Sequence, residues 1–274
     1  MASDDGYLLD NRQAEAGTRF TAMAQLFDPV TLRHVDRLGI GAGSRCWEVG
    51  AGGPTIPAAL ARRGADVLAT DVDLSWLPRD APYDVRRHDV AADPPPEGPF
   101  DLVHARLVLV HVPARAAALA AMVSVLRPGG YLLVEDADPA LQPLACPDGY
   151  GPAQRLANRI RTGFRTLMAQ RGADLAYGRT MPRVLREAGL VDVAAEAFFP
   201  IGGPACAALE RATVEHIRSR LVEAGLATDA ELAEHLSHVD GLDLAPAPLI
   251  SAWGRAPRRA SSGPTSAARR EGGA

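Results

Sequence analysis

The sequence contains no lysine, so its 29 basic residues are all arginine, set against 33 acids for a net charge of −4. That balance supplies no general attraction to nucleic acid or to an anionic membrane. A basic, aromatic-rich appended region of the kind that reads RNA is also absent. The three cysteines, Cys46, Cys146 and Cys206, are odd in number and far apart, which excludes a disulfide framework and any metal-binding spacing. No metal is expected. The chain begins Met1-Ala2-Ser3-Asp4-Asp5, without a basic leader or a long apolar run. Neither a signal peptide nor a membrane span is expected, and the chain reads as cytoplasmic.

What is present is enough apolar material for one sizeable core, 47% of 274 residues. The organising stretch is Arg45 to Asp73. Cys46, Trp47 and Val49 form an apolar strand that runs into Gly50-Ala51-Gly52-Gly53. Glycines there let the backbone turn sharply and approach a ligand, because no Cβ intrudes. Pro54 suits a first helical turn, and Gly64 stops the helix. A second strand follows, with Asp71 at its end. Strand, glycine turn, helix and strand make a βαβ unit with a nucleoside site at its carboxyl edge. A dinucleotide fingerprint would need a glycine where Thr55 stands, and a nicotinamide oxidoreductase would commonly show a Tyr-x-x-x-Lys pair. Neither is met.

Glu48-x-Gly50-x-Gly52 resembles motif I of the class I methyltransferases that use S-adenosylmethionine, with Pro54 where a further glycine is usual. Phe100-Asp101-Leu102-Val103 and the His111-Val112-Pro113 turn resemble the fourth strand and following segment of small-molecule methyltransferases, the group that includes the ubiquinone and menaquinone methylases. Leu126-Arg127-Pro128-Gly129-Gly130, followed by Leu132-Leu133, resembles their connection into the fifth strand. The resemblance implies a Rossmann-like α/β fold, with seven mostly parallel strands and helices on both faces, and S-adenosylmethionine as cofactor. It implies a small-molecule acceptor, a secondary metabolite, methylated at O, N or C. Glu48, Gly50, Ala51, Gly52, Asp71, Val72, Asp89, Val90, Ala105 and Arg106 are the implied cofactor contacts. Asp71 would take ribose hydroxyls, and Asp89 with Val90 would take the adenine. Arg106 would meet the methionine carboxylate or an acceptor anion, or cap a helix. Pro54 is expected to start its helix, leaving the loop N–H groups of Gly50 to Gly53 to meet the methionine end. His111 is the first candidate for a general base and Glu135 the second, since histidine titrates near neutrality. A non-methylating cofactor-binding protein, such as a cyclase or partner subunit, is the alternative on the same fold. A homodimer is left open.

The expected organisation is an N-terminal helical lid over 1–43, the methyltransferase domain over 44–256 and a disordered tail over 257–274. The domain carries insertions at about 139–178 and 200–245, where a substrate roof is usually built. In the lid, Phe20, Met23, Ala24 and Phe27 recur at helical spacing. Pro29 is expected to break that run; Tyr7, Arg12 and Gln25 are available to face a ligand, the alternative being that the aromatics of this segment only fix its helices to the core. Tyr83 to Val90 reads as a third strand. Arg155, Arg159 and Arg165 read as a solvated helix face, and His216, His235 and His238 as surface residues. The last strand, Pro248 to Gly254, is expected at the sheet edge beside the sixth.

Overall fold

The computed structural model describes residues 15–258. Its seven strands are β1 (Arg45–Val49), β2 (Asp66–Asp71), β3 (Asp84–Arg87), β4 (Phe100–Arg106), β5 (Leu126–Ala137), β6 (Val191–Phe198) and β7 (Leu249–Arg255). The helices are α1 (Glu15–Arg37), α2 (Thr55–Arg62), α3 (Arg115–Ser124), α4 (Pro152–Gln170), α5 (Tyr177–Glu187), α6 (Pro204–Glu223) and α7 (Asp229–His238). The strands form one sheet in the order β3-β2-β1-β4-β5-β7-β6, and β7 is antiparallel to both its neighbours. The Rossmann-like reading therefore holds. The strand order reverses between β1 and β4, and the crevice outside their carboxyl ends is where an open α/β sheet places its ligand.

Alternation along the strands sorts the core onto two faces. Trp47, Val49, Val103, Leu132 and Val134 join the cluster that includes Leu119 and Met122 of α3 and Met181 and Leu185 of α5. Cys46, Leu102 and Leu133 join Val35 of α1 and Ile56 and Leu60 of α2. A separate cluster joins α4, α6 and α7 through Leu156, Ile160, Ile217, Leu221 and Leu232. Two of these helices, α4 and α6, contribute residues to the cavity that opens at the carboxyl ends of the strands.

Several expectations are corrected. Pro29 does not break the first helix, because α1 runs unbroken through it. The backbone bond that proline forgoes costs about 3 kcal/mol, offset by the tertiary bonds that Asp28 and Thr31 make on either side of it, to Arg106 and Glu135. The third strand keeps only Asp84–Arg87, and its residues are mostly exposed. β7 lies inside the sheet between β5 and β6, so β6 is the edge. Arg127-Pro128-Gly129-Gly130 lies within β5 rather than before it. There Gly129 has φ +82°, the β4–β5 register shifts between Phe100 and Leu102, and Gly129 N donates to Ala256 O at 2.9 Å. The glycines serve an irregularity that lets the start of β5 bond β4 on one side and the chain after β7 on the other.

His216 and His235 are buried, not surface residues. His235 lies one helical turn from Leu232 on the inner face of α7 and stands 3.1 Å from Glu210 of α6. His238 is exposed as expected. Tyr7, Arg12 and the tail beyond residue 258 lie outside the described residues.

Candidate functional site

The loop after β1 is built around two glycines that no other residue replaces without strain. Gly50 and Gly52 have φ +61° and +62°, a region costly for a side-chain-bearing residue. A Cβ on Gly50 would come within 2.5 Å of the Val108 side chain, and one on Gly52 within 3.1 Å of the Phe20 ring. Asp71 closes the loop from β2. Its carboxylate accepts from Gly52 N at 2.8 Å and from Asp73 N at 2.9 Å. Ala51 N donates to Thr70 O at 3.0 Å and Gly53 N to Ala51 O at 2.6 Å. The expectation that these loop N–H groups are left for a ligand is thus corrected for Ala51, Gly52 and Gly53. What the loop presents instead is open space over Gly53, where an added Cβ meets nothing within 4 Å, and a carboxylate held in one orientation. Burial raises the Asp71 pKa, and the N–H groups of Asp73 and Gly52 oppose that rise. Pro54 lies at the entrance to α2, with φ −82° and ψ −10°, and forms part of the cavity wall without sealing it.

A cavity of about 940 Å³ opens from this loop. Gly50 to Pro54, Asp71, Val72, Asp89, Val90, Arg106 and His111 line it. Phe20, Met23 and Phe27 of α1 face it together with Trp76, whose ring meets Phe20 edge-on at 5.8 Å. Of the lid residues singled out in the sequence, Gln25 is exposed and lies outside the lining, while Arg19 lies within it. The far wall comes from α4 (Arg161, Phe164, Arg165 and Met168) and α6 (Leu209, Glu210 and Thr213). Arg165, expected on a solvated face, is half-buried and lines the cavity, whereas Arg155 and Arg159 are exposed.

Glu48, Ala105 and Glu135 do not line the cavity. Glu48 and Glu135 lie beneath its floor, on either side of His104, a residue that sequence reasoning passed over. His104 Nδ1 is 2.7 Å from Glu48 and Nε2 is 3.2 Å from Glu135. All three are buried. Strand parity explains the grouping. Glu48, His104, Glu135 and Ser251 follow Cys46, Leu102 and Leu133 and precede Trp253 by two residues on one face, where cross-strand pairing sets Glu48 beside His104 and Glu135 beside Ser251. Thr31 of α1 and Ser251 both donate to Glu135, the latter at 2.6 Å. Burial alone would depress the His104 pKa, but the charge of Glu48 and the hydrogen bonds of both carboxylates raise it to about 9. Burial pushes the Glu135 carboxyl up, and His104, Arg106 and Ser251 together hold it at about 2. The group is a buried ionic tie between the sheet and α1. Glu135, the second candidate base, is spent in that tie.

His111 ends a 3-10 turn, Leu109–His111, whose last N–H donates to Val108 O at 3.0 Å. Burial, then the charges of Arg19 and Arg115, lower its pKa to about 4. Its imidazole is therefore neutral near pH 7. Arg106 points from the end of β4 to α1, bonding Asp28 at 2.7 Å and Thr31 at 3.0 Å. No group of three His, Cys, Asp or Glu side chains among the described residues is arranged to hold a metal ion. No helix among them is long and apolar enough to cross a membrane.

Comparison with known proteins agrees with this geometry. Residues 47–134 match the family model described as a methyltransferase domain. The chain is 34% identical over 148 residues to methyltransferase str2 of Strobilurus tenacellus, covering 53% of this chain and 49% of that one. It is 32% identical over 118 residues to the ubiquinone biosynthesis O-methyltransferase of Marinobacter nauticus, covering 39% and 50%. The chain thus spans about half the length of these curated relatives. Among solved structures, phosphoethanolamine N-methyltransferase 2 of Haemonchus contortus superposes with a TM-score of 0.58 at 16% identity, over 94% of this chain and 61% of that one. The YcgJ protein of Bacillus subtilis superposes with a TM-score of 0.55 at 12% identity, over 84% and 99%. The sheet order and the glycine loop with its acid partner agree with the similarity of residues 47–134, from β1 into β5, to a methyltransferase domain.

Proposed function

We propose that this protein is an S-adenosylmethionine-dependent methyltransferase acting on a small molecule, with secondary metabolites as the favoured class. The observation that carries this reading is the shared cavity. One end is the glycine loop with Asp71 and Asp89, and the other is an apolar and arginine-bearing wall from α4 and α6. A nucleoside cofactor and an acceptor can thus meet inside one enclosure near the upper end of usual small-molecule pockets.

The fit to the cofactor rests on the loop, which lines the cavity beside Asp71 and Asp89 and leaves open space over Gly53. Gly50, Ala51, Gly52, Asp71 and Val72 would hold the ribose and methionine parts, and Asp89 and Val90 the base. The bound cofactor supplies an electrophilic methyl on a sulfonium. The chain supplies alignment and water exclusion, which account for most of the barrier lowering when the methyl donor is already activated. His111, neutral at rest and at the cavity wall, can accept a proton from the acceptor and becomes an imidazolium in doing so. In this reading residues 44–256 are the catalytic unit and α1 covers the cofactor, while the segments about 139–178 and 200–245 roof the acceptor. The enzyme is cytoplasmic and its partner is a small molecule, not a nucleic acid. A homodimer is checked by light scattering.

The test has two parts. S-adenosylhomocysteine at about 100 times its Kd should stabilise the chain by roughly 2.7 kcal/mol. Transfer of a labelled methyl to a metabolite extract should follow. Absence of stabilisation overturns the reading, and binding without transfer favours the non-methylating alternative.

A further inference from the structure

Three arginines from the α4 segment, Arg161, Arg165 and Arg171, line the acceptor end of the cavity, against one acid, Glu210 of α6. That glutamate is fully engaged. It accepts from Arg161 Nη2 at 2.7 Å and stands 3.1 Å from His235 Nε2. Arg161 spends its other terminal nitrogen on Ala245 O at 3.1 Å. Arg165, one turn along the same face of α4, differs. It is half-buried and its Nε is shut off from solvent without a hydrogen-bond partner. No ion pair or side-chain hydrogen bond to it occurs among the described residues. A guanidinium taken partly out of water and left unmatched loses hydration that nothing in the protein replaces. Its planar fork matches a carboxylate in bidentate fashion. Phe164 and Met168, on the same side of α4, and Leu209 of α6 supply apolar wall beside it.

Building on the methyltransferase reading, we infer that the acceptor is a carboxylate-bearing small molecule with an apolar body, its carboxylate held by Arg165 and the body packed on Phe164, Met168 and Leu209. Arg165 is a specificity-determining residue. It anchors the end of the acceptor remote from the methyl, so binding energy from the carboxylate orients the reacting atom.

The probes are three matched pairs: benzoate and benzamide, 3-phenylpropionate and 3-phenylpropionamide, decanoate and decanamide. Each is titrated calorimetrically into the full chain, with and without saturating S-adenosylhomocysteine. At least one carboxylate should bind about tenfold tighter than its amide, the span of a charge-assisted hydrogen bond over a neutral one. Arg165→Gln should erase that preference while S-adenosylhomocysteine affinity stays within twofold. Arg165→Lys, which keeps the charge but not the fork, should retain part of it. Equal affinity of acids and amides for the wild-type chain, or a preference that survives Arg165→Gln in a folded variant, overturns the inference. Failure of S-adenosylhomocysteine to bind overturns the methyltransferase reading instead, and the carboxylate comparison without it still decides whether Arg165 is an anion site.

Discussion

His104 Nε2 stands 3.2 Å from the carboxylate of Glu135, and that carboxylate also receives the hydroxyls of Ser251 from β7 and Thr31 from α1. A single buried pair therefore ties the centre of the sheet to the helix that covers the cavity. Replacing His104 by Phe would leave Glu48 and Glu135 buried without their shared cation. Breaking a buried pair in this way costs about 3–5 kcal/mol. Thermal unfolding followed by circular dichroism should show Tm lower by roughly 10 °C, and an unchanged Tm would sink this account of the tie.

The same pair sets an alkaline limit. Because the His104 pKa is raised from 6.5 to about 9 in the folded chain, the folded state holds its proton where the unfolded state has lost it. The stabilisation is therefore complete below about pH 6.5, declines as pH rises and is gone above about 9. Urea midpoints measured from pH 6 to 10 should fall across that window, and His104→Gln should flatten the fall.

Arg106 and Asp28 form the second link between sheet and α1, at 2.7 Å with both side chains largely buried. Arg106→Gln should weaken that hold by about 1.5–3 kcal/mol, as expected for a charge-assisted bond. Amide exchange in α1 should quicken while that in β4 stays protected. Affinity for S-adenosylhomocysteine should drop with it, because Phe20 and Met23 close the cavity from α1. Unchanged exchange in α1 would mean that the helix is held by its packing and by the Thr31–Glu135 bond without this link.

Gly50→Ala combines a left-handed backbone, worth about 1–2 kcal/mol, with a Cβ placed 2.5 Å from the Val108 side chain. Gly43→Ala is the matched comparison, since Gly43 also has positive φ but an added Cβ meets nothing within 4 Å. Both should lose stability, but only Gly50→Ala should weaken S-adenosylhomocysteine binding by about tenfold or more. Equal binding by the two variants would show that the loop is not in contact with the cofactor.

His111 should titrate near pH 4, well below its usual value, because burial and the charges of Arg19 and Arg115 disfavour the imidazolium. The unfolded chain then binds the extra proton between about pH 6.5 and 4, so this group removes stability as pH falls through that interval. Carbon-resolved NMR of the ring should find it neutral at pH 6. If it serves as base, the acid limb of the rate profile should lie near 4 and vanish in His111→Phe together with most of the rate.

Legibility in the sequence followed the range of the interaction. The glycine loop, Asp71 and the apolar runs of β1, β4 and β5 are local patterns, and each was readable because backbone conformation and strand alternation leave a mark within a few residues. The role of His104 was not readable. It sits among apolar neighbours in Phe100–Arg106, and nothing in that stretch reveals carboxylates two strands apart. Arg165 was misjudged for a related reason. Its helix carries arginines on several faces, and only the placement of α6 decides which face is inside.

The sequence alone determined the βαβ frame, the turn at Gly50 to Gly53, the acid at the end of β2 and the methyltransferase resemblance. These depend on dihedral preferences and hydrophobic periodicity, which act between near neighbours. The tertiary structure alone decided that Pro29 is carried within α1, that Glu135 is buried beneath the cavity, that His235 pairs with Glu210 and that Arg165 lines the cavity. Each of these depends on which surfaces meet across the sheet or between helices far apart in the chain, where desolvation and long-range pairing set the outcome.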